Sequence, residues 1–504
     1  MTELIAASLP QLAYGAKQVL ENEAQVAKHQ DIAMYDLMEM AGLSVFQSIQ
    51  QYYPEIKSYF VICGKGNNGG DGYVVARLAH EFGIDVEVIV LAEESVISGD
   101  AKTALNKLKS SGITPHFCDE VSLVTAQIEH SNTALIVDSI FGIGFSGELS
   151  TSLTEMIKEI NRHKAVKVSV DVPSGLCANL GTVTGVAVKS ELTVTFIAMK
   201  KGLLTGQAAN YVGNLKYADL GLERAFSEDV NTYIHIQIQE NLPLIIEREP
   251  AAHKGNIGKV LAIGGNKGYP GAIRMSGEAA LRCGASLVAV SCHSENRLNV
   301  FSSRPELMIA EPEISDLSKS EFLQSAKVII LGPGLGRDSW AKARFELAVS
   351  QSLPMVVDAD ALYFLADNRH KKDNWVLTPH PGEAARLLNC TVADVEKNRF
   401  EAVAEIANKY GGICVLKGAG TLVSDGTTIW INTTGNSGMA SGGMGDVLTG
   451  VIAALMCQTG NIFEAVRLAV YIHGDAADKL ADKYGKIGLL ASDLFDELRL
   501  LVNR

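Results

Sequence analysis

Short apolar runs that alternate with helix-patterned stretches constrain this chain more than any other feature. "YFVIC" (59–63), "VEVIVLA" (86–92), "ALIVDS" (134–139), "VKVSVDV" (166–172) and "LTVTFIA" (192–198) are apolar or β-branched at most positions. A strand with one wet face alternates apolar and polar residues. A nearly continuous run is buried on both faces, which implies a parallel sheet covered by helices on either side. Helical spacing appears between the runs, as in "YVVARLAHEFG" (73–83), and ahead of them in "MYDLMEMAGLSVFQSIQQYY" (34–53). The pattern breaks over 222–249, a polar, weakly periodic stretch that ends at Pro250. A second series then begins: "KVLAIGG" (259–265), "SLVAVSC" (286–292), "KVIILGPG" (327–334), "PMVVDADAL" (354–362), "WVLTPHPGE" (375–383) and "GICVLKGAG" (412–420). No sequence period relates the two series. The expectation is two three-layer α/β/α domains, residues 1–225 and 230–504, in keeping with a length of 504 residues.

Composition narrows the partners. Glycine is abundant, at 47 residues, while proline is only 13, which suggests many tight strand-to-helix turns and not a disordered linker. A net charge of −13 without a long basic run argues against nucleic acid as a partner and leaves room for a local anion pocket. The eight cysteines form no CxxC pair; Cys63, Cys283 and Cys414 sit in or beside apolar runs and read as small buried residues. A reducing, cytoplasmic compartment fits this usage, and a cysteine zinc site does not. The N-terminal stretch lacks the pattern of a secretory signal, and no apolar run approaches the roughly 20 residues that span a bilayer, so no membrane role is expected.

The strand ends carry the chemistry, because ligands of open α/β sheets bind at the carboxyl edge. "GKGNNGGDG" (64–72) follows a strand and precedes a helix, so its amides and the helix N-terminus can hold an anion, although such residues also make ordinary turns. "VDSIFGIGFSGE" (137–148) supplies Asp138 and a second amide-rich loop, and "VDVPSG" (170–175) supplies Asp171 and Ser174. Asn68, Asp138 and Ser174 together offer hard oxygen ligands for an alkali or alkaline-earth cation. In the second half, "NKGYPGAIR" (266–274) and "LGPGLG" (331–336) let a ligand approach the backbone. "TPHPGE" (378–383) fixes His380 between two prolines, and "LKGAGT" (416–421) ends a strand with Lys417, which suits a phosphate or ribose or else a solvated hairpin. "SGGMGD" (441–446) runs straight into an apolar helix. Its unobstructed N–H groups can stabilise a phosphoryl group as charge develops, and Asp446 at its end can take a proton from an attacking hydroxyl.

Together these motifs resemble a known family across nearly the whole chain. "GKGNNGGDG", "VDSIFGIGFSGE" and "VDVPSG" are similar to the NAD(P)H-hydrate epimerase domain, with a Rossmann-like fold. "LGPGLG", "TPHPGE", "LKGAGT" and "SGGMGD" resemble the ADP-dependent NAD(P)H-hydrate dehydratase, a ribokinase-like fold. The resemblance implies a substrate that is NADH or NADPH hydrated across a nicotinamide double bond, with R and S epimers at carbon 6. Asn67, Asn68, Gly69, Gly70, Asp71, Gly142, Ile143, Gly144, Phe145, Ser146, Gly147 and Glu148 would contact the hydrate in the epimerase. Asp171 would lie near the reacting carbon, and Asn68, Asp138 and Ser174 would hold K⁺. In the dehydratase the resemblance assigns Asp446 as base and Ala272, Gly334 or Gly336, and His380 to the hydrate. It assigns Lys417, Gly418, Ala419, Gly420, Thr421 and Gly445 to the nucleotide, with Mg²⁺ on the phosphates of the co-substrate ADP. One departure is Met444, where the family loop usually has threonine; it removes a hydroxyl donor. The C-terminal motifs alone also fit a small-molecule kinase, and the N-terminal half alone a nucleotide- or protein-binding module. A homo-oligomer is expected from the apolar helices that such sheets expose.

Overall fold

The computed structural model describes residues 5–118, 128, 133–245, 247–253, 258–302, 304–311 and 313–503, and the chain divides into two compact units, Met1–Ile236 and Gln237–Arg504. In the first unit the strands are β1 (Ser58–Cys63), β2 (Asp85–Val90), β3 (His116–Phe117), β4 (Leu135–Ser139), β5 (Val166–Val170), β6 (Leu192–Phe196) and β7 (Asn214–Ala218). They pair in parallel in the order β3-β2-β1-β4-β5-β6-β7. β1 shows why its sequence is apolar throughout. Tyr59, Val61 and Cys63 enter one core, and Phe60 and Ile62 enter the other. Phe60, Val61 and Ile62 each contribute about 1.5–3 kcal/mol through burial. The chain order reverses between β1 and β4, and the loops after these two strands diverge to leave a crevice at the carboxyl edge.

A short strand, β8 (Ile234–Gln237), lies where the chain leaves the first unit. The second unit then holds β9 (Lys259–Ile263), β10 (Leu287–Ser291), β11 (Leu307–Ile309), β12 (Val328–Leu331), β13 (Met355–Val357), β14 (Trp375–Leu377), β15 (Ile413–Leu416), β16 (Leu422–Ser424) and β17 (Ile429–Asn432). Their order is β11-β10-β9-β12-β13-β14-β15-β16-β17, parallel as far as β15 and antiparallel beyond it. Here the reversal falls between β9 and β12. Helices Pro270–Arg282 and Met444–Gln458 pack against each other so closely that a Cβ on Gly450 would lie 2.2 Å from the Ser276 carbonyl oxygen.

Three features differ from the sequence reading. Asn67 to Gly72 are not a loop but the opening turns of helix Asn67–Glu81, since glycines tolerate a helix wherever the backbone packs too tightly for a side chain. The patternless stretch after 222 contains helix Glu223–Asp229 and β8, and it belongs to the first unit as far as Ile236. There Ala13 N–H donates to the Ile234 carbonyl at 3.0 Å and Ile236 N–H to that of Gln11 at 2.8 Å, so the first unit runs on past residue 225. Finally, "LKGAGT" is indeed a hairpin connection between β15 and β16, yet Lys417 is not simply solvated. Among the described residues no helix is long and apolar enough to cross a membrane. All eight cysteines are free, with Cys63, Cys283 and Cys414 buried.

Candidate active sites

The first unit has a cavity of about 840 Å³ at the crevice beside β1 and β4. Asn67, Asn68 and Asp71 line it from the start of helix Asn67–Glu81, Gly142 to Ser146 from the loop after β4, and Asp171 from the end of β5. Gly147 and Glu148 are exposed and lie outside its lining. Gly69 and Gly70 are also absent from it. A Cβ on Gly69 would come 2.0 Å from the Gly64 carbonyl oxygen, and one on Gly70 would meet the Met38 side chain at 2.6 Å, so these glycines serve close packing.

Asp138 is fully buried at the end of β4. It accepts from the Ser174 hydroxyl (2.6 Å), the Ser174 N–H (2.8 Å) and the Ser169 hydroxyl (2.8 Å). Burial pushes its carboxyl upward against these hydrogen bonds. The Ser174 hydroxyl also takes the Phe141 N–H at 3.0 Å, and a Cβ on the next residue, Gly142, would touch the Asn68 side chain at 3.1 Å. The Asn68 amide is buried, and neither its nitrogen nor its oxygen has a hydrogen-bond partner. A buried amide without a partner costs about 1–3 kcal/mol. An oxygen-binding cation fits this set of Asn68, Asp138 and Ser174, because it would satisfy the orphaned Asn68 oxygen and compensate the buried carboxylate.

Asp171 adopts a left-handed backbone, φ 64°, rare for a residue with a side chain. Its Oδ1 accepts from Lys200 Nζ at 2.6 Å and from Thr195 Oγ1 at 2.9 Å. Lys200 is buried and donates as well to the Phe196 carbonyl (2.8 Å) and to Thr195 Oγ1 (3.1 Å). Two groups that sequence reasoning missed join Asp171 here: Lys200, and Glu23 on helix Ala16–His29. No motif surrounds either, and their immediate sequence neighbours, such as Asn22 and Lys201, give no signal that could have singled them out. Burial pushes Asp71 well above the usual carboxylate range, reinforced by Asp171 and Glu23.

In the second unit the residues gather around the ends of β13, β14 and β15 and the helix starting at Met444. Asp358, buried after β13, accepts from Lys417 Nζ (2.9 Å), Thr378 Oγ1 (2.8 Å) and Thr449 Oγ1 (3.0 Å). Gly445 stands over this group, since its missing Cβ would lie 3.2 Å from Lys417 Nζ. Burial draws Lys417 downward, but Asp358, Glu383 and Asp446 outweigh it and hold the ammonium above its usual range. Asp446 sits in the first turn of helix Met444–Gln458, after Gly443 at φ 91°. That turn's N–H groups have no intrahelical acceptor and point out of the helix. Burial, then Asp358, push the Asp446 carboxyl up to about 7, with Lys417 opposing and Glu383 adding. A carboxyl poised there can hold or release a proton at neutral pH.

The remaining expected residues divide. Gly334 borders Ala272, with its missing Cβ 3.4 Å from the alanine's, whereas Gly336 packs on Asn266 and donates its N–H to Asp360 at 2.9 Å. The geometry therefore pairs Ala272 with Gly334. His380 caps helix Pro381–Leu388, its Nδ1 accepting the Gly382 N–H at 2.9 Å; burial and Lys417 lower its pKa. Thr421 Oγ1 donates to the Gly418 carbonyl at 2.9 Å, which closes the 417–421 turn, and Gly418 and Ala419 are exposed. Besides Asp358, two residues here were not anticipated. Arg399, buried, donates to the Leu416 and Lys417 carbonyls at 3.3 and 3.2 Å and so fixes that turn. Glu383 is pushed up to about 7 by burial, with Lys417 opposing and Asp358 adding.

Comparison with known proteins agrees with both halves. Residues 34–202 match the family described as YjeF-related protein N-terminus, and residues 260–500 match that of NAD(P)H-hydrate dehydratase. The bifunctional NAD(P)H-hydrate repair enzyme of Escherichia coli K12 is 40% identical over 497 residues, covering 98% of this chain and 95% of the relative. That of Vibrio cholerae is 42% identical (98% and 99% covered), and that of Leishmania braziliensis 37% (97% and 93%). Among solved structures, a ribokinase-like superfamily protein from Enterococcus faecalis is similar at 29% identity and a TM-score of 0.50, covering 54% of this chain and 97% of its own. With both halves matched in order and at this identity along almost its full length, the chain belongs to the family of bifunctional NAD(P)H-hydrate repair enzymes.

Proposed function

We propose that the chain repairs hydrated NADH and NADPH: the first unit interconverts the R and S hydrates, and the second dehydrates the S form with ADP as co-substrate. The observation that carries the dehydratase reading is Asp446, a carboxyl pushed up to about 7 at a glycine-lined helix start beside Lys417. Asp446 takes the proton of the substrate hydroxyl as its oxygen attacks the β-phosphorus of ADP, and AMP leaves. The N–H groups of the first turn, with Lys417, stabilise the charge on the transferred phosphoryl group. The ring nitrogen lone pair then expels phosphate from carbon 6, and loss of a proton from carbon 5 restores the nicotinamide double bond. Gly418 to Thr421 and Gly445 form the nucleotide's seat, Ala272 and Gly334 lie against the hydrate, and His380 shapes the rim through its cap.

In the first unit the cavity takes the hydrated ring, with Asp171 the nearest base. Asn68, Asp138 and Ser174 would hold K⁺, which supplies fixed positive charge beside the 140–146 loop. Mg²⁺ fits as an ion carried by the nucleotide phosphates, which needs one or two protein carboxylates. Among the described residues no group of three or more His, Cys, Asp or Glu could cage a metal. Eight free cysteines and a net charge of −13 fit a cytoplasmic enzyme that binds small molecules, not nucleic acid or membrane; a homo-oligomer is proposed on the apolar helices that such sheets expose.

The test is optical. Purified protein is mixed with an R/S hydrate mixture, Mg²⁺ and ADP, and reduced-nicotinamide absorbance is followed. Complete recovery faster than spontaneous epimerisation is the expected result. Recovery of the S fraction alone would overturn the epimerase reading. Stable phosphorylated product, with no reduced nicotinamide, would turn the second unit into a kinase.

A further inference from the structure

Glu23 belongs to none of the glycine-rich motifs, yet it lines the same cavity as Asp71, Asp171 and Lys200, with Lys65 and Asp100 completing its ionisable lining. These groups differ in what they can do. Lys200 has its ammonium directed to Asp171, Thr195 and the Phe196 carbonyl, so it serves as the counter-ion of Asp171. Asp171 is thereby the member of the set held in a direct ion pair. Glu23 is half-buried, and among the described residues no comparable ion pair joins it to Lys200. Its electrostatic neighbours are Lys200 and the carboxyls of Asp171 and Asp71.

Inverting a carbon that bears both a hydroxyl and a ring nitrogen demands a base and an acid together. The hydroxyl must lose its proton as the carbon–nitrogen bond opens, and the departing nitrogen must gain one. One carboxylate cannot supply both at once. We propose that Glu23 is the acid of the epimerase, giving its proton to the ring nitrogen while Asp171 takes the hydroxyl proton. The carbon 6–nitrogen bond breaks and an open amino-aldehyde forms. Rotation about the carbon 5–carbon 6 bond presents the opposite face of the aldehyde. On closure the nitrogen returns its proton to Glu23, Asp171 returns its proton to the oxygen, and both residues regain their starting states. No oxidant or further reactant is required. Burial pushes Glu23 up to about 7 and Asp171 adds to this while Lys200 opposes, so a protonated Glu23 is available at neutral pH.

The proposal rests on the epimerase reading of this cavity, and its test separates the two. R-to-S interconversion is followed by NMR on the full chain, over the spontaneous rate, from pH 5.5 to 9, for the natural protein, Glu23→Gln and Glu23→Asp. The natural protein should lose rate as pH rises through about 7, where the acid ionises. Glu23→Gln should lower kcat about 10²–10⁴-fold, abolish that alkaline limb and leave KM within about threefold. Glu23→Asp keeps an acid and should recover at least tenfold of the loss. Thermal melts report whether each variant is folded. Natural-like rate and alkaline limb in Glu23→Gln would overturn the proposal, as would equal loss in folded Gln and Asp variants. A natural protein that does not exceed the spontaneous rate would overturn the epimerase reading itself.

Discussion

Asp446 shows how a single side chain is tuned for its task and what the tuning costs. Its carboxyl is raised to about 7 in the folded chain, whereas in the unfolded chain it lies near 3.9. Dehydration should therefore fall as pH drops through about 7, where the base is protonated; a rate flat from pH 8 to 5.5 would contradict that role. The same shift has an opposite sign for stability. Between pH 4 and 7 the unfolded chain releases the proton first, so folding stability declines as pH rises and the penalty is complete above 7. Asp446→Asn should thus cut kcat about 10²–10⁴-fold, and raise the melting temperature at pH 8 but not at pH 4. Met444, which stands where the family loop usually has threonine, also has a packing role. Its side chain is buried in the second unit's core, so the missing hydroxyl of a threonine is a packing matter before it is a chemical one. Met444→Thr should lower stability by about 1–3 kcal/mol in chemical denaturation while kcat stays within about tenfold.

At the level of elements, the strands were legible because burial on both faces leaves an unambiguous apolar run, as in β1 and β12. β3, β7, β8, β11, β16 and β17 were not: the first four are sheet-edge strands, and β16 and β17 are short and antiparallel. The opening turns of helix Asn67–Glu81 misled for a different reason. Its glycines look like a loop, but they answer to neighbouring backbone. Gly69→Ala should be severely destabilising, since the new Cβ would lie 2.0 Å from the Gly64 oxygen, whereas Gly66→Ala meets nothing within 4 Å at φ −95° and should melt within about 2 °C of the natural protein. Equal melting temperatures would show that the glycines serve the ligand and not the packing. Motif reading located Asp138, Asp171, Lys417 and Asp446 because each ends a strand or opens a helix within a recognisable run. It missed Glu23, Lys200, Arg399 and Asp358, whose roles depend on which distant residue faces them, and a linear pattern does not hold that information.

In the whole molecule the candidate residues named for each activity come from a single unit, so the two activities should be separable in the intact chain. Asp446→Asn should still interconvert the hydrates, and Asp171→Asn should still dehydrate the S form. Mixing the two variants should restore recovery of the R fraction; failure of the mixture, with each single activity intact, would mean that the intermediate does not cross between molecules. Asp171 holds a left-handed backbone but is tied in place by the buried Lys200, whereas Asp446 holds a charge that asparagine would spare. In the laboratory, a selection that rewards heat resistance alone would therefore drift towards Asp446→Asn and enrich for sturdy, inert proteins. Any directed evolution of this chain has to screen turnover in the same round as survival.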